Sequence, residues 1–435
     1  KKTFYIEKIA SACVNLPVDE YEMIHMHGKY AKEHKVARNK LGYQTQSIRS
    51  TRGSSGHNQN PFLAMARKGS TEENGDVYGF ALVYSGNFSI DADMDFFGSP
   101  RITAGINPED FLWRLEPGES FCAPEVLLAF SEEGVGGMSR VFHRFISKHI
   151  VRGEWRDKKR PLLINSWEAA SFNFDDEKLV AFAERVAGLG VEMLVMDDGW
   201  FGKRNDSSSS LGDWYVNEDK IKGGLAYLIE RVNKAGLKFG IWYEPEMISE
   251  NSDLYRAHPD WCLRVEGRAH SIARSQLMLD MTRQDVRDNI FNQMYDVLSK
   301  HNIDYLKWDM NRNFTQAASS KLPPERQGEL AHRYMLGTYE LLDRITKAFP
   351  HILLESCSGG GGRYDVGMLC YSPQVWTSDN TDAADRLTIQ FGTSLCYPAS
   401  TMGSHVSFSK RTPFKTRADV AMWGSFGYEL DPLRL

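Results

Sequence analysis

The chain has 435 residues, 42% hydrophobic and 25% charged, a balance that excludes wholesale disorder and collagen-like repeats. Lys and Arg total 52 against 57 Asp and Glu, and the net charge of −5 offers no basic surface for nucleic acid or an anionic membrane. No run of about 18 apolar residues is present to span a bilayer, so no membrane partner is expected.

Residues 1 to about 135 read as short alternating runs separated by turn chemistry, the pattern of an antiparallel sandwich. Residues 79–86 and 118–129 are strand candidates, and 72–76 and 132–137 read as turns. Over 138–150 the period changes: Val141, Phe142, Phe145, Ile146, His149 and Ile150 share one helical face, which predicts a linker helix. From Arg160 onward strand, loop and helix alternate. Apolar strand candidates fall at 161–167, 191–198, 237–242, 276–281, 305–310, 352–356, 374–379 and 393–398, with helices near 176–188, 286–300 and 329–349. Eight such strands predict an α/β fold whose parallel sheet is covered on both faces and closed as a (β/α)8 TIM barrel. The expected division is part of a β-sandwich domain over 1–137, a linker helix over 138–160 and a catalytic barrel over 161–435. Six cysteines (Cys13, Cys122, Cys262, Cys357, Cys370 and Cys396) form no C-x-x-C pair and no zinc spacing. That usage, and an opening Lys1-Lys2-Thr3-Phe4-Tyr5 without a long apolar segment, suggests a reducing, cytoplasmic location.

The C-terminal ends of barrel strands share one mouth, where barrel enzymes do their chemistry. Those ends carry Trp167, Asp197-Asp198-Gly199-Trp200, Trp242-Tyr243-Glu244, Lys307-Trp308-Asp309, Glu355-Ser356-Cys357-Ser358-Gly359 and Ser378-Asp379-Asn380. A single Asp after a strand is ordinarily a helix cap, the expected role of Asp175 and Asp285. Polar groups at the ends of six strands exceed what capping explains. Two carboxylates on opposite sides of a pocket can cleave a glycosidic bond, one attacking the anomeric carbon while the other protonates the leaving oxygen. Lys307, two residues before Asp309, points to the same side of its strand, and its ammonium would favour an ionised Asp309. Asp379, beyond Trp376, would serve as the acid if desolvated or set beside another negative charge. These residues alone leave the two assignments open. The Asp197-Asp198 pair suits adjacent sugar hydroxyls, Trp167 and Trp242 suit pocket walls, and Met196 and Met278 suit barrel filling.

Five segments, 196–202 (M-D-D-G-W-F-G), 240–246 (G-I-W-Y-E-P-E), 307–312 (K-W-D-M-N-R), 355–363 (E-S-C-S-G-G-G-G-R) and 376–382 (W-T-S-D-N-T-D), stand in one order. Together they resemble the α-galactosidases of glycoside hydrolase family thirty-six, in its bacterial, melibiase-type branch, over residues 40 to 430. The resemblance implies a retaining exo-α-galactosidase that hydrolyses terminal α-D-galactosyl residues of oligosaccharides by double displacement, with Asp309 as nucleophile and Asp379 as acid/base. It implies Asp197 and Asp198 on the O4 and O6 hydroxyls of galactose, Arg274 and Lys307 on ring hydroxyls, and Trp167 and Trp242 as pocket aromatics. Cys357 and Gly360 would flank the C2 hydroxyl, where a tight glycine leaves room for OH rather than an N-acetyl group. No metal or organic cofactor is implied. Family tetramers complete the site with N-terminal-domain residues of a neighbouring chain, so a homo-oligomer is expected. Relative to the family the chain begins late in the N-terminal β-domain, stops soon after the barrel, and is short over 403–413.

Other readings use the same residues. An α-N-acetylgalactosaminidase or a raffinose-type transgalactosidase would share the scaffold. A metal-dependent barrel enzyme would hold Mg²⁺ on Asp197, Glu244 and Asp309. A non-catalytic sugar-binding barrel would need no carboxylate pair. Asp91-Ala92-Asp93-Met94-Asp95 opens like a calcium loop, but Phe96 and Ile102 stand where Gly and Glu are required, so it reads as an acidic strand face.

Overall fold

The structure is a computed structural model that describes residues 2–434. Its N-terminal part is built on two antiparallel sheets, with a two-stranded antiparallel pair, Phe4–Ile6 and Trp113–Leu115, beside them. One of the two sheets runs in the order Glu125–Ser131, Val77–Val83, Gln59–Arg67, Tyr21–Lys29, Lys32–Lys40; the other in the order Ala10–Asn15, Pro100–Ile106, Phe88–Met94, Gln46–Arg49. Alternation along the strands decides what each face meets. Leu63, Met65, Phe80 and Leu82 pack between the sheets against Phe88, Ile90 and Ile102. Phe62, Ala64, Ala66 and Ala81, on the opposite face, pack on Met138 and Phe142 of the helix Gly134–Phe145 and on Val366, Leu369 and Tyr397 beside the barrel. The strand Gln59–Arg67 is therefore apolar on both faces, and one sheet serves two cores. Phe62 and Phe142 meet edge to face with ring centres 5.9 Å apart, and each contributes about 1.5–3 kcal/mol by burial.

Two expectations here shift. The candidate at 118–129 becomes a strand only from Glu125. Residues 134–137, read as part of a turn, open the helix, and an added Cβ on Gly137 would lie 2.1 Å from Ser131 Oγ. Helix and strand thus touch closely. On the linker helix Phe142, Ile146 and Ile150 are buried, while Phe145 and His149 face outward against each other.

Eight parallel strands close the barrel: β1 (Leu163–Asn165), β2 (Met193–Met196), β3 (Lys238–Tyr243), β4 (Tyr305–Trp308), β5 (Leu353–Ser356), β6 (Gln374–Trp376), β7 (Met402–Ser407) and β8 (Ser425–Glu429). Two expected strands are not among them. Within 276–281, Leu277-Met278 pairs antiparallel with Met247-Ile248 in a two-stranded sheet outside the barrel. Residues 393–398 finish the helix Ala383–Thr393 and turn, with Cys396 and Tyr397 packed against the five-stranded sheet. Lys307 accordingly stands on the fourth strand rather than the fifth.

Alternation explains what the barrel holds. Leu163, Met193, Val195, Tyr305 and Leu353 meet inside it, with Trp155 closing the lower end. Leu194, Met196, Leu306, Trp308 and Leu354 lie in the core shared with the helical shell. Two residues beyond the inward apolar layer, the same faces of the strands present Asn165, Asp197, Lys307 and Glu355, and then Asp309 and Cys357. Met196 is thus filling outside the barrel, and Met278 belongs to the two-stranded sheet. Asp175 caps the helix Asp176–Val186 through Lys178 N. Asp285 does not cap: Arg283 holds that position, and Asp285 instead binds its guanidinium at 3.0 and 2.7 Å. Among the described residues no helix is long and apolar enough to cross a membrane.

Candidate active site

At the barrel mouth Lys307 Nζ donates to Asp197 Oδ2 at 3.0 Å, and Asn165 Nδ2 donates to the same oxygen at 2.7 Å. Lys307 is therefore partnered with Asp197, not with Asp309 as its spacing suggests. Burial alone would push this ammonium down, but Asp197 and the neighbouring acidic groups hold it well above its ordinary value. Asp198 receives a two-pronged contact from Arg204, Nε at 3.0 Å and Nη2 at 2.9 Å. Both are buried, and burial raises the Asp198 carboxyl. The adjacent Asp pair thus has two separate cationic supports, which fixes four carboxylate oxygens at the mouth.

Asp309 follows β4. Its Oδ1 accepts from Met310 N at 2.8 Å and Gly359 N at 3.3 Å, and its Oδ2 accepts from Asn311 Nδ2 at 2.6 Å. Each partner is a donor, the set a carboxylate needs. Asn311 Oδ1 in turn accepts from Arg274 at 2.7 Å, so Arg274 reaches Asp309 through an amide. Arg274 and Ser275 both hold left-handed backbone (φ 53 and 58), a conformation that non-glycine residues keep only where their surroundings demand it. Behind this group Glu244 is buried, accepting from Asn311 N and Gln276 Nε2 at 2.6 and 3.0 Å. Burial, and next the nearby Asp309, pushes Glu244 up to about 8.

Asp379 follows β6. Trp376 Nε1 donates to its Oδ1 at 3.0 Å. Burial raises this carboxyl, and the charge of Asp309 raises it further. Arg386 binds the carbonyls of Ser378 and Asn380 on either side, both at 2.7 Å. Gly360 has φ +79, and an added Cβ would lie 2.8 Å from both Asp379 N and Glu33 Oε1. The glycine is required by the close approach of the Asp379 segment, a reason different from the C2 clearance the resemblance implies. Cys357 Sγ accepts from Gly360 N at 3.4 Å and is buried.

Trp167 is half-buried at the start of a short helix after β1, edge-on to Phe172. Trp242 is 2% exposed and stacks on Phe201. Sequence reasoning missed Asn165, Arg204, Asn311, Trp376, Arg386 and Glu33 as members of this group. Asn311 and Trp376 lie inside motifs that were already visible; Arg204 and Glu33 carry no local signal. The three carboxylates of the magnesium reading are each engaged by protein donors: Asp197 by Lys307 and Asn165, Glu244 by Gln276 and Asn311, and Asp309 by Met310, Asn311 and Gly359. Among the described residues no group of His, Cys, Asp or Glu has metal-holding spacing. Asp91 and Asp93 lie on the strand Phe88–Met94, where Ser47 and Thr45 hydroxyls bind them.

The melibiase family model matches residues 120–435, and the model of the glycosyl hydrolase family 36 N-terminal domain matches residues 1–116. The chain belongs to glycosyl hydrolase family 36. Similarity to this family runs beyond the 40–430 carried by the motifs. The chain is 53% identical to α-galactosidase AgaA of Geobacillus stearothermophilus, covering 98% of this chain and 59% of AgaA. It is 47% identical to α-galactosidase Mel36A of Lactobacillus acidophilus, covering 99% and 60%. The crystal structure of AgaA matches with a TM-score of 0.99 at 52% identity, covering all of this chain and 61% of that one. AgaA variants have been crystallised with raffinose and with stachyose, each matching at a TM-score of 0.98. The chain spans about 60% of the length of these family 36 relatives.

Proposed function

We propose that the protein is a retaining α-galactosidase, which removes terminal α-D-galactosyl residues from oligosaccharides of the raffinose and stachyose kind. The observation that carries this reading is the contrast between two carboxyls at one mouth. Asp309 accepts three N–H bonds, whereas Asp379 accepts one, from the Trp376 indole, and desolvation and the charge of Asp309 raise its carboxyl. Environments that separate two carboxyls in this way assign one as nucleophile and the other as acid. An Asp309 oxygen attacks the anomeric carbon while the Asp379 proton passes to the glycosidic oxygen, breaking the bond to the aglycone and leaving a β-galactosyl ester. Asp379, now a carboxylate, takes a proton from water as the water oxygen attacks the same carbon; the ester breaks and α-galactose leaves. Asp197 with Lys307, and Asp198 with Arg204, offer acceptors for sugar hydroxyls. Trp167 and Trp242 wall the pocket, Arg274 acts through Asn311, and Cys357 and Gly360 line the side toward C2. The chemistry proposed needs no cofactor.

The domain division at 137 and 160, a cytoplasmic location and a homo-oligomeric state belong to the same proposal. The first is supported by the helix between sandwich and barrel. The second is supported by six free cysteines among the described residues. The relatives' α-galactosidase names favour a galactoside over an N-acetylgalactosaminide.

A panel of aryl α-glycosides, with proton NMR of the first-formed anomer, tests this. The α-galactoside should be cleaved and α-galactose should appear before mutarotation. First-formed β-galactose, or preference for the N-acetylgalactosaminide, would reject the reading.

A further inference from the structure

The glycine run 359–362 has no side chains with which to hold its own shape, yet it touches the segments of both proposed catalytic carboxyls. Gly359 N donates to Asp309 Oδ1 at 3.3 Å. An added Cβ on Gly360 would lie 2.8 Å from Asp379 N. Gly359 and Gly360 both hold left-handed backbone, at φ 51 and 79. The space that side chains would take here is filled from the β-sandwich. An added Cβ on Gly362 would lie 2.5 Å from His57 Cε1, and one on Gly360 2.8 Å from Glu33 Oε1. The run of glycines thus admits two side chains from the other part of the chain.

His57 stands just before the strand Gln59–Arg67. Its Nε2 lies 2.7 Å from the Gly359 carbonyl oxygen. A carbonyl only accepts, so this nitrogen carries the proton. Gly359 is therefore held at both its polar groups, the N–H on Asp309 and the carbonyl on His57. The same strand holds the residues after the loop, where Asn60 Nδ2 donates to the Tyr364 carbonyl at 2.7 Å. Glu33, on the strand Lys32–Lys40, is 1% exposed. Its Oε1 accepts from Ala31 N at 3.1 Å and its Oε2 from Ser378 Oγ at 2.5 Å. Ser378 Oγ accepts in turn from Asn380 N at 3.1 Å, so one hydroxyl links Glu33 to the residues on both sides of Asp379. Glu33 Oε1 and His57 Nε2 are 3.9 Å apart. Two neighbouring sandwich side chains therefore reach both carboxyl-bearing segments.

We infer that His57 and Glu33 are positioning residues for the two carboxyls: His57 sets Gly359 against Asp309, and Glu33 sets Ser378 beside Asp379. The inference rests on Asp309 being the nucleophile and Asp379 the acid/base. The β-sandwich then fixes how the carboxyls stand to one another across the barrel mouth. Misplacing a reacting group by about 1 Å costs up to about 10²-fold in rate, and a glycine run, free in φ, yields most easily to such a shift. The two residues act on different parts of the reaction. Every substrate needs the nucleophile, whereas a proton donor matters only where the leaving group is poor. His57 should therefore affect all substrates and Glu33 chiefly those with poor leaving groups.

A fluorinated α-galactosyl fluoride reports on the attack alone. An Asp309 oxygen bonds to the anomeric carbon, fluoride leaves with the electron pair of the C–F bond, and the ester persists to be counted by mass spectrometry. His57→Ala should lower the labelling rate about tenfold while every site is still labelled at the end. His57→Gln, whose amide N–H can reach the same carbonyl, should restore most of the rate. Glu33→Gln should leave labelling and kcat/KM for an activated aryl α-galactoside near their original values and lower kcat/KM for raffinose about tenfold. Ser378→Ala breaks the same bond from the barrel side and keeps the Glu33 carboxyl; it should show the same split, and it serves alone where Glu33→Gln fails to fold. An unchanged labelling rate in His57→Ala, with all sites or only some of them labelled, overturns the inference. So does an equal loss, or no loss, on both substrates in Glu33→Gln and Ser378→Ala. If the ester forms on a residue other than Asp309, or Asp379→Ala slows both substrates equally, the assignment of the carboxyls fails, whatever the His57 and Glu33 variants do.

Discussion

Lys307 and Asp197 form an ion pair 3.0 Å long with both side chains buried, 8% and 5% exposed. Removing one partner of such a pair strands the other charge without water, which costs about 3–5 kcal/mol. Lys307→Met should lower the unfolding free energy in denaturant by about that amount. Adding Asp197→Asn should recover most of the stability and none of the activity. A loss below about 1 kcal/mol would mean that water reaches Asp197 freely.

The two proposed catalytic carboxyls should fail differently. Asp309→Ala should stop hydrolysis of every substrate. Asp379→Ala should slow raffinose by about 10²–10⁴-fold and an activated aryl α-galactoside far less, with azide restoring turnover of the latter. Equal losses on both substrates would count against the acid role.

Gly360→Ala forces a side chain into left-handed backbone, at about 1–2 kcal/mol, and drives its Cβ against Asp379 N and Glu33. The Asp379 segment must retreat. The variant should fold with a modestly lowered melting temperature but lose most of its kcat. Retained kcat would show that the segment tolerates displacement.

Stability should depend on pH in two opposite ways. Burial pushes His34 and His405 down to about 3 and His332 to about 4. Only the unfolded chain binds those protons below about 6.5, so these groups make stability rise with pH up to that point. Burial pushes Glu429 up to about 7 and Glu244 to about 8. The folded chain keeps protons that the unfolded chain has released, so these groups make stability fall as pH rises through 8. Above about pH 6.5 only the second effect remains. The melting temperature should therefore drop between pH 6.5 and 8, and Glu429→Gln should flatten the decline. A melting temperature that climbs over that range would contradict the burial of both glutamates.

The barrel was legible where its strands are apolar runs, as at Met193–Met196 and Tyr305–Trp308, because a parallel strand covered on both faces must be hydrophobic. The same rule misled at 276–281, whose Leu277, Met278, Leu279 and Met281 are buried outside the barrel, the first two in a short antiparallel pair with Met247-Ile248. It also passed over β7 and β8. Met402–Ser407 (M-G-S-H-V-S) and Ser425–Glu429 (S-F-G-Y-E) mix small and polar residues because their inward faces carry His405 and Glu429 against the charged interior.

By itself the sequence determined which groups end the strands, since period-two alternation carries each inward face from hydrocarbon to Asp197, Lys307, Asp309 and Cys357. Only the tertiary structure decided their partners. Lys307 sits two residues from Asp309 yet binds Asp197, because closing the sheet brings β2 and β4 within reach across the mouth. Glu33 is 345 residues from Ser378 and still holds it, because a shared apolar core presses the sandwich onto the barrel. Local spacing encodes direction along a strand; contact between strands and domains depends on closure and packing, which no short segment contains.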